Sequence, residues 1–305
     1  MNISQISLDQ WGPATNRNMA VLDKAKDLYI VSVKATNKTF CKLGRKIESY
    51  QWNTEENLIA AIQDTQLIVW YCPQASYDAT LLKLCSFYYD SPELGRGPRI
   101  SDFIGSSVSV RKADGSLINV FISPLPSILL KYIQENKWTE ALNLCRSMNN
   151  TTLWACLAVL STQCNQTNDS ISIAEEAFAN INHYEKVYYI KYIKNIENSV
   201  QQKAALALLG GKHQEAESIL LHNGMVFQAI WTNIQLYHWT RALELAIKHK
   251  THIDTVLYLR KQYLNILGKP ENNNQFIGIQ ENVKYDDEKV KEKIDLEMKK
   301  MNKTA

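Results

Sequence analysis

The feature that most constrains this chain is a helical stripe that returns. In HWTRALELA, Trp239, Ala242, Leu243 and Ala246 stand at offsets of three, four and seven, and in NKWTEALNLC the same offsets are held by Trp138, Ala141, Leu142 and Cys145. That spacing lines one face of a helix, and the Ala in second place leaves room for another helix to cross closely. A weaker echo, GKHQEAESIL, keeps Ala216 and Leu220 but sets His213 and Glu217 in the other two places. Just before Trp239, the residues Val226, Ala229, Ile230, Ile234 and Tyr237 recur at helical spacing, so His222 to His252 reads as two helices joined by a short turn. Units of this kind cannot bury their apolar faces alone and stack into an α-solenoid of TPR-like hairpins. The repeat anchors are thus Trp138, Ala141, Leu142, Ala216, Leu220, Trp239, Ala242 and Leu243, with Trp239 and Ala242 expected to form an internal helix contact.

The first 122 residues follow a different period. Short apolar runs separated by turn residues predict strands at Met19 to Leu22, Leu28 to Val33, Ile47 to Trp52, Leu58 to Ile62, Leu67 to Tyr71, Ile100 to Ile104, Ser107 to Arg111 and Leu117 to Ile122. The Asp114-Gly115 pair between the last two suits a tight hairpin turn. Antiparallel strands in hairpin succession are blade material, and LIAAIQDTQLIVWYCP places Trp70 where WD repeats carry their closing dipeptide, although without its Asp. The reading is β + α: the last two or three blades of a WD40-type β-propeller over residues 1–122, then an α-solenoid over 123–269. The change of regime falls at Ser123, Pro124, Leu125 and Pro126. Ten helices are predicted between Ser127 and Leu267. Residues 270–305 are read as a polar loop, ENNNQ, and a charged helix from Tyr285 to Lys303 that either docks or frays. The helical region is expected to survive alone, and the open blades not.

Composition narrows the function classes. A formal net charge of +3 on 305 residues is too small for an electrostatic footprint on nucleic acid. No apolar run reaches the ~18 residues of a membrane span, so no membrane insertion is expected. MNISQISLDQW has no basic segment leading into an apolar one, which argues against a signal peptide and for a reducing compartment. Cys41, Cys72, Cys85, Cys145, Cys156 and Cys164 form no CxxC, and those of the helical half occupy apolar positions as small hydrophobes. The sequons at Asn37, Asn150 and Asn165 are then plain polar turns.

No nucleophile is paired with a base, so no catalytic residue, cofactor, metal or small-molecule substrate is expected. His249 and His252 form HKTH without two further ligands in order, and read as a solvated basic helix end. Gly210, Gly211 and Lys212 lack the flanking residues of a phosphate loop, and a helix-to-helix turn fits them better. Tyr188, Tyr189 and Tyr192, interleaved with Lys186, Lys191 and Lys194, are read as solenoid packing under snorkelling lysines. Trp154 and Trp231 join Trp138 and Trp239 as core anchors.

Five runs in order, TLWACLAVL, AEEAFANI, EKVYYIKYIKNI, QEAESILLHNGMVFQAI and WTRALELAIKHKTHIDTVL, resemble the helical region of the intraflagellar transport protein 80 family. Upstream, QDTQLIVWYCP and VRKADGSL resemble the last blades of that family's second propeller. The resemblance implies a non-enzymatic structural subunit of intraflagellar transport complex B, scaffolding the trains that kinesin and dynein move along the axoneme for cilium assembly. The implied partners are other complex B subunits, with self-association through the helical region left open. The implied locations are the axoneme, the basal body and the cytoplasm. The contact with a calponin-homology-domain subunit is attributed in that family to an N-terminal ring that, by the same resemblance, is expected to be missing from these residues, so no partner-binding residue is carried over. Vesicle-coat and nuclear-pore scaffolds share the propeller-then-solenoid plan and are the alternative reading.

Overall fold

A computed structural model describes residues 2–9, 17–33, 40–163, 168–283 and 285–303. Cys164 and the sequons beginning at Asn37 and Asn165 fall wholly or partly outside the described residues. The described strands form three antiparallel sheets in chain order. The first holds β1 (Ile3–Leu8), β2 (Asn18–Asp23), β3 (Leu28–Ser32) and β4 (Cys41–Gly44). The second holds β5 (Ile47–Trp52), β6 (Ile59–Gln63), β7 (Gln66–Trp70) and β8 (Ser86–Tyr89). The third has three strands, β9 (Arg99–Ile104), β10 (Ser107–Arg111) and β11 (Leu117–Phe121).

Each sheet lies against the next through its early strands. Tyr50 of β5 donates its hydroxyl to the Ala20 carbonyl of β2 at 3.4 Å and accepts from Ser7 of β1 at 3.2 Å. On the other side, Asn53 donates to the Gly105 carbonyl at 2.8 Å and the Ile100 amide donates to Ser49 at 3.0 Å. The middle blade is therefore covered on both faces. Its central strands β6 and β7 are buried almost throughout, which is why IAAI and LIVW read as continuous apolar runs rather than alternating ones. The tight turns fall where the sequence places them: Asp64 takes φ +54° between β6 and β7, and Gly115 takes φ +86° between β10 and β11. In the second turn the Asp114 carboxylate accepts from the Ser116 amide at 2.9 Å.

Three strands lie beyond the sequence prediction, and each has a physical reason. β1 exposes Ile3, Ile6 and Leu8 about half. β4 and β8 are four residues each. Short or outer strands are held by the ladder and carry little burial pattern for a sequence to show. Between β7 and β8 the chain inserts a 3-10 turn (Pro73–Tyr77) and helix α1 (Ala79–Leu84). Asp78 caps α1, its carboxylate accepting from the Thr80 and Leu81 amides at 3.0 and 3.2 Å.

After Pro124 the described chain is helical. The molecule divides into two compact units, Met1–Ile190 and Lys191–Ala305. In the first, the sheets are joined by α2 (Leu125–Gln134), α3 (Trp138–Met148), α4 (Thr151–Gln163), α5 (Asn168–Asn180) and the start of α6 (Tyr184–Lys194). Helix α4 is the hub, with Leu153 to Thr162 all buried. A helix apolar on every side must be covered on every side, and α1, α2, α3 and α5 all pack on it.

The second unit holds α7 (Ser199–Leu209), α8 (His213–His222), α9 (Val226–Gln235), α10 (Trp239–His249), α11 (Ile253–Leu267), α12 (Asn274–Asn282) and α13 (Asp287–Lys303). This unit departs from the sequence expectation at two places. ENNNQ is a loop only to Asn273, whose side chain then accepts from the Gln275 amide at 3.0 Å and starts α12. Its polar composition conceals one fully buried anchor, Phe276. Helix α9 stops at Gln235, so Tyr237 is no part of its stripe and is 63% exposed. The charged last helix docks: Val290 is buried, and Lys293 donates to the Asp254 carboxylate at 2.8 Å. No described helix is long and apolar enough to cross a membrane.

Candidate functional site

The residues expected to anchor the repeats lie close to a turn built from backbone. Two residues before the first residue of α3, α6, α8, α9 and α10 stand Asn136, Asn182, Gly211, Gly224 and Tyr237, each at φ between +57° and +74°. The next residue, Lys137, His183, Lys212, Met225 or His238, gives its amide back to a carbonyl five residues earlier at 2.8 to 3.0 Å. Its own carbonyl then accepts the amide of the fourth residue of the new helix. This is a helix C-terminus closed by a left-handed residue that serves at once as the next helix's start. In α3, α8, α9 and α10 that fourth residue is Ala141, Ala216, Ala229 or Ala242, all fully buried. The recurrent, fully buried Ala therefore sits one turn past the hairpin bend.

Around that bend the anchors differ in depth. Trp239 is 9% exposed, and with Leu243 and Ala246 it enters a core with Ile230, Ile234, Val256, Leu257 and Phe276. Ala216 and Leu220 are buried with Ala204, Ala207 and Ala229. Ala141 and Cys145 are buried, but Trp138 and Leu142 are half-buried. Trp154 is buried and Trp231 half-buried.

The weaker echo is explained by pairing. Glu217, standing where the stripe has an apolar residue, accepts from Asn233 at 2.9 Å and from Arg241 at 2.6 Å, so charge-assisted bonds join α8 to α9 and α10. His213, in the Trp position, sets its ring 5.3 Å from that of His238. Burial first, then the neighbouring His238, lowers its pKa.

One cluster has no sequence signal. Arg260 of α11 lies 5.4 Å from the ring centres of both Trp239 and Phe276, and its guanidinium meets the Glu271 carboxylate at 2.8 and 3.3 Å. Both charged side chains are largely covered. Burial alone would raise the Glu271 pKa, but the Arg260 bond and backbone amides outweigh it and the net shift is downward. Arg260 thus acts as an aromatic-stacked clip on α12.

The remaining sequence candidates are corrected in part. His249 does end α10, but His252 is half-buried against Phe227 at 4.9 Å between ring centres rather than solvated. Gly210 to Lys212 form a helix-to-helix turn. Tyr184, Tyr188 and Tyr192 are 58%, 71% and 58% exposed, and it is Val187, Ile190 and Ile193 that α6 buries. Four-residue spacing puts these rings in one outward row instead of a packed face. Lys186 does lie along apolar surface, over the Tyr77 and Phe178 rings, and pairs with Asp78 at 2.8 Å.

Finally, Cys72, Cys85 and Cys156 converge, with all three sulfurs within 4.8 Å of one another and all three residues buried. Cys72 precedes the 3-10 turn, Cys85 ends α1 and Cys156 lies on α4. The thiol of Cys85 is held well above the ordinary range, first by its hydrogen bond with Cys156 and also by burial. That of Cys156 is raised first by its bond with Cys72 and also by burial.

Comparison with known proteins places these elements. Residues 153–303 match the family described as the IFT80/172/WDR35/WDR19 TPR domain, and residues 1–125 match the IFT80 second beta-propeller. The chain is 42% identical over 301 residues to the intraflagellar transport protein 80 homologs of Mus musculus and Rattus norvegicus. The match covers 98% of this chain but 38% of each relative's length.

Proposed function

The chain belongs to the intraflagellar transport protein 80 family, and from that premise we propose that it is a non-enzymatic structural subunit of intraflagellar transport complex B. In this role its end-of-propeller blades and helical hairpins scaffold the trains that carry cargo along the axoneme. The observation that carries the reading is colinearity: 42% identity runs over 98% of the chain, through blades and hairpins alike, rather than marking one shared module. Its partners are other complex B subunits, and its places are the axoneme, the basal body and the cytoplasm. The outward tyrosine row of α6 is the kind of aromatic surface that interfaces favour, which suits an assembly role.

Affinity purification with the tagged full chain as bait, in a ciliated cell, tests this directly. Complex B subunits are expected as the dominant captured proteins, and the tagged chain is expected in puncta moving both ways along the axoneme. Golgi or nuclear-rim staining with coat or pore proteins in the eluate would overturn the assignment in favour of another propeller-and-solenoid scaffold.

A further inference from the structure

We propose that Cys72, Cys85 and Cys156 form a binding site for one soft d10 metal cation, held by three thiolates between a blade and the hub helix. The donors come from the residue before the 3-10 turn, the residue that ends α1 and the middle of α4, and their sulfurs lie within 4.8 Å of one another. A three-coordinate ion with metal–sulfur bonds of about 2.3 Å holds its sulfurs roughly 4 Å apart. The trio therefore has to close by less than about an ångström, which side-chain torsions can supply.

The donor set selects the ion. Thiolates alone, with no imidazole or carboxylate, favour copper(I) and its soft neighbours over hard cations. Among the described residues no fourth histidine, cysteine or carboxylate joins the group at that distance. Asp78, the carboxylate that Cys85 feels most, is already committed to the Thr80 and Leu81 amides and to Lys186. Structural zinc takes four ligands, so a trigonal d10 ion fits better than tetrahedral zinc. Packing of small residues accounts for the burial of each cysteine, but not for three sulfurs meeting sulfur to sulfur from separate elements. On binding, three S–H protons pass to solvent as three sulfur–metal bonds form. A monovalent ion leaves two negative charges there and a divalent ion one, so copper(I) and cadmium(II) are the two probes that separate these cases.

The test titrates the full chain, reduced and anaerobic, with copper(I) against a chromophoric chelator and separately with cadmium(II) by its thiolate charge-transfer absorbance. Either ion is expected to bind at one equivalent per chain, with X-ray absorption showing three sulfur neighbours and no nitrogen or oxygen. Cys72→Ala, Cys85→Ala and Cys156→Ala should each lose that equivalent. Cys145→Ala, which removes another buried thiol outside the trio, should keep it. Should an Ala variant fail to fold, the neighbour count on the wild-type chain decides alone. Fewer than three sulfurs, a light-atom ligand, no retention of either ion, or equal loss in Cys145→Ala would overturn the site.

Discussion

At residue scale Trp239 lies under the Arg260 guanidinium, and Ala242, one turn on, is fully buried in the same core as Ile230 and Ile234 of α9. Replacing Trp239 with Ala should cost roughly 3 to 5 kcal/mol, as deletion of a large buried aromatic does. Thermal unfolding with partner capture checks this, because an unchanged melting point with lost capture would mark a partner-facing ring instead. Ala242→Arg should be worse tolerated than any surface change, since overpacking costs about 1 to 3 kcal/mol and an unpaired charge is added to a site with no exposure. Loss of soluble full-length chain is the expected readout. The histidines give the pH dependence. His213 and His252 both have lowered pKa values, in each case first through burial, with His238 and Lys293 adding to the effect. The unfolded chain then binds more protons than the folded one just below the ordinary histidine value of about 6.5. Their contribution is complete above that pH and lost as pH falls toward the lowered folded values. Melting temperature measured from neutral to mildly acid pH should fall, and His213→Gln with His252→Gln should flatten the curve.

The helical hairpin is the element that sequence shows best, and its limits are physical. The stripe at Trp239 is legible because burial imposes the spacing, and in the one at Trp138 it is Ala141 and Cys145 that are buried. The bend between helices is less so, because its requirement is a backbone angle that Asn136, Gly224 and Tyr237 all meet. Gly224 isolates that requirement: it sits at φ +74°, and a Cβ built there touches nothing within 4 Å. Gly224→Ala should therefore destabilise by about 1 to 2 kcal/mol through left-handed strain alone, without altering the fold, as chemical denaturation would show. Helix α12 is hidden because, among its residues with described side chains, Phe276 alone is buried in the core. Tyr188 and Tyr192 mislead for the converse reason, since large aromatics in a helical pattern are usually inside while these two are exposed. As for the cysteine trio, no spacing rule brings Cys72 and Cys85 to Cys156; only the packing of α1 on α4 does so.

At the scale of the molecule, the composition break at Ser123 is not a mechanical break. Helix α4 reaches back to the middle blade, where Gln163 donates to the Gln74 carbonyl at 3.2 Å and Cys156 lies beside Tyr71, whose pKa burial pushes up to about 12. Lys186 meets Asp78 at 2.8 Å, and Lys131 meets Glu56 at 3.6 Å. Severing the chain between residues 122 and 123 should therefore cost both halves, against the expectation from sequence that the helical region survives alone, because it exposes α4 on one side and the α1 insertion on the other. Residues 1–190 expressed together should be more soluble and more cooperative in unfolding than residues 1–122. Equal behaviour of the two pieces by calorimetry would refute this. The same ties bear on how a pull is carried. Were Ser123 to Pro126 the sole link, tension on the helices would swing them about a hinge. With α2 attached at Glu56, α4 at Gln74 and α6 at Asp78, a tug on these helices should be shared as shear among several side-chain contacts, and that part of the chain should answer load as a bracket rather than a hinge.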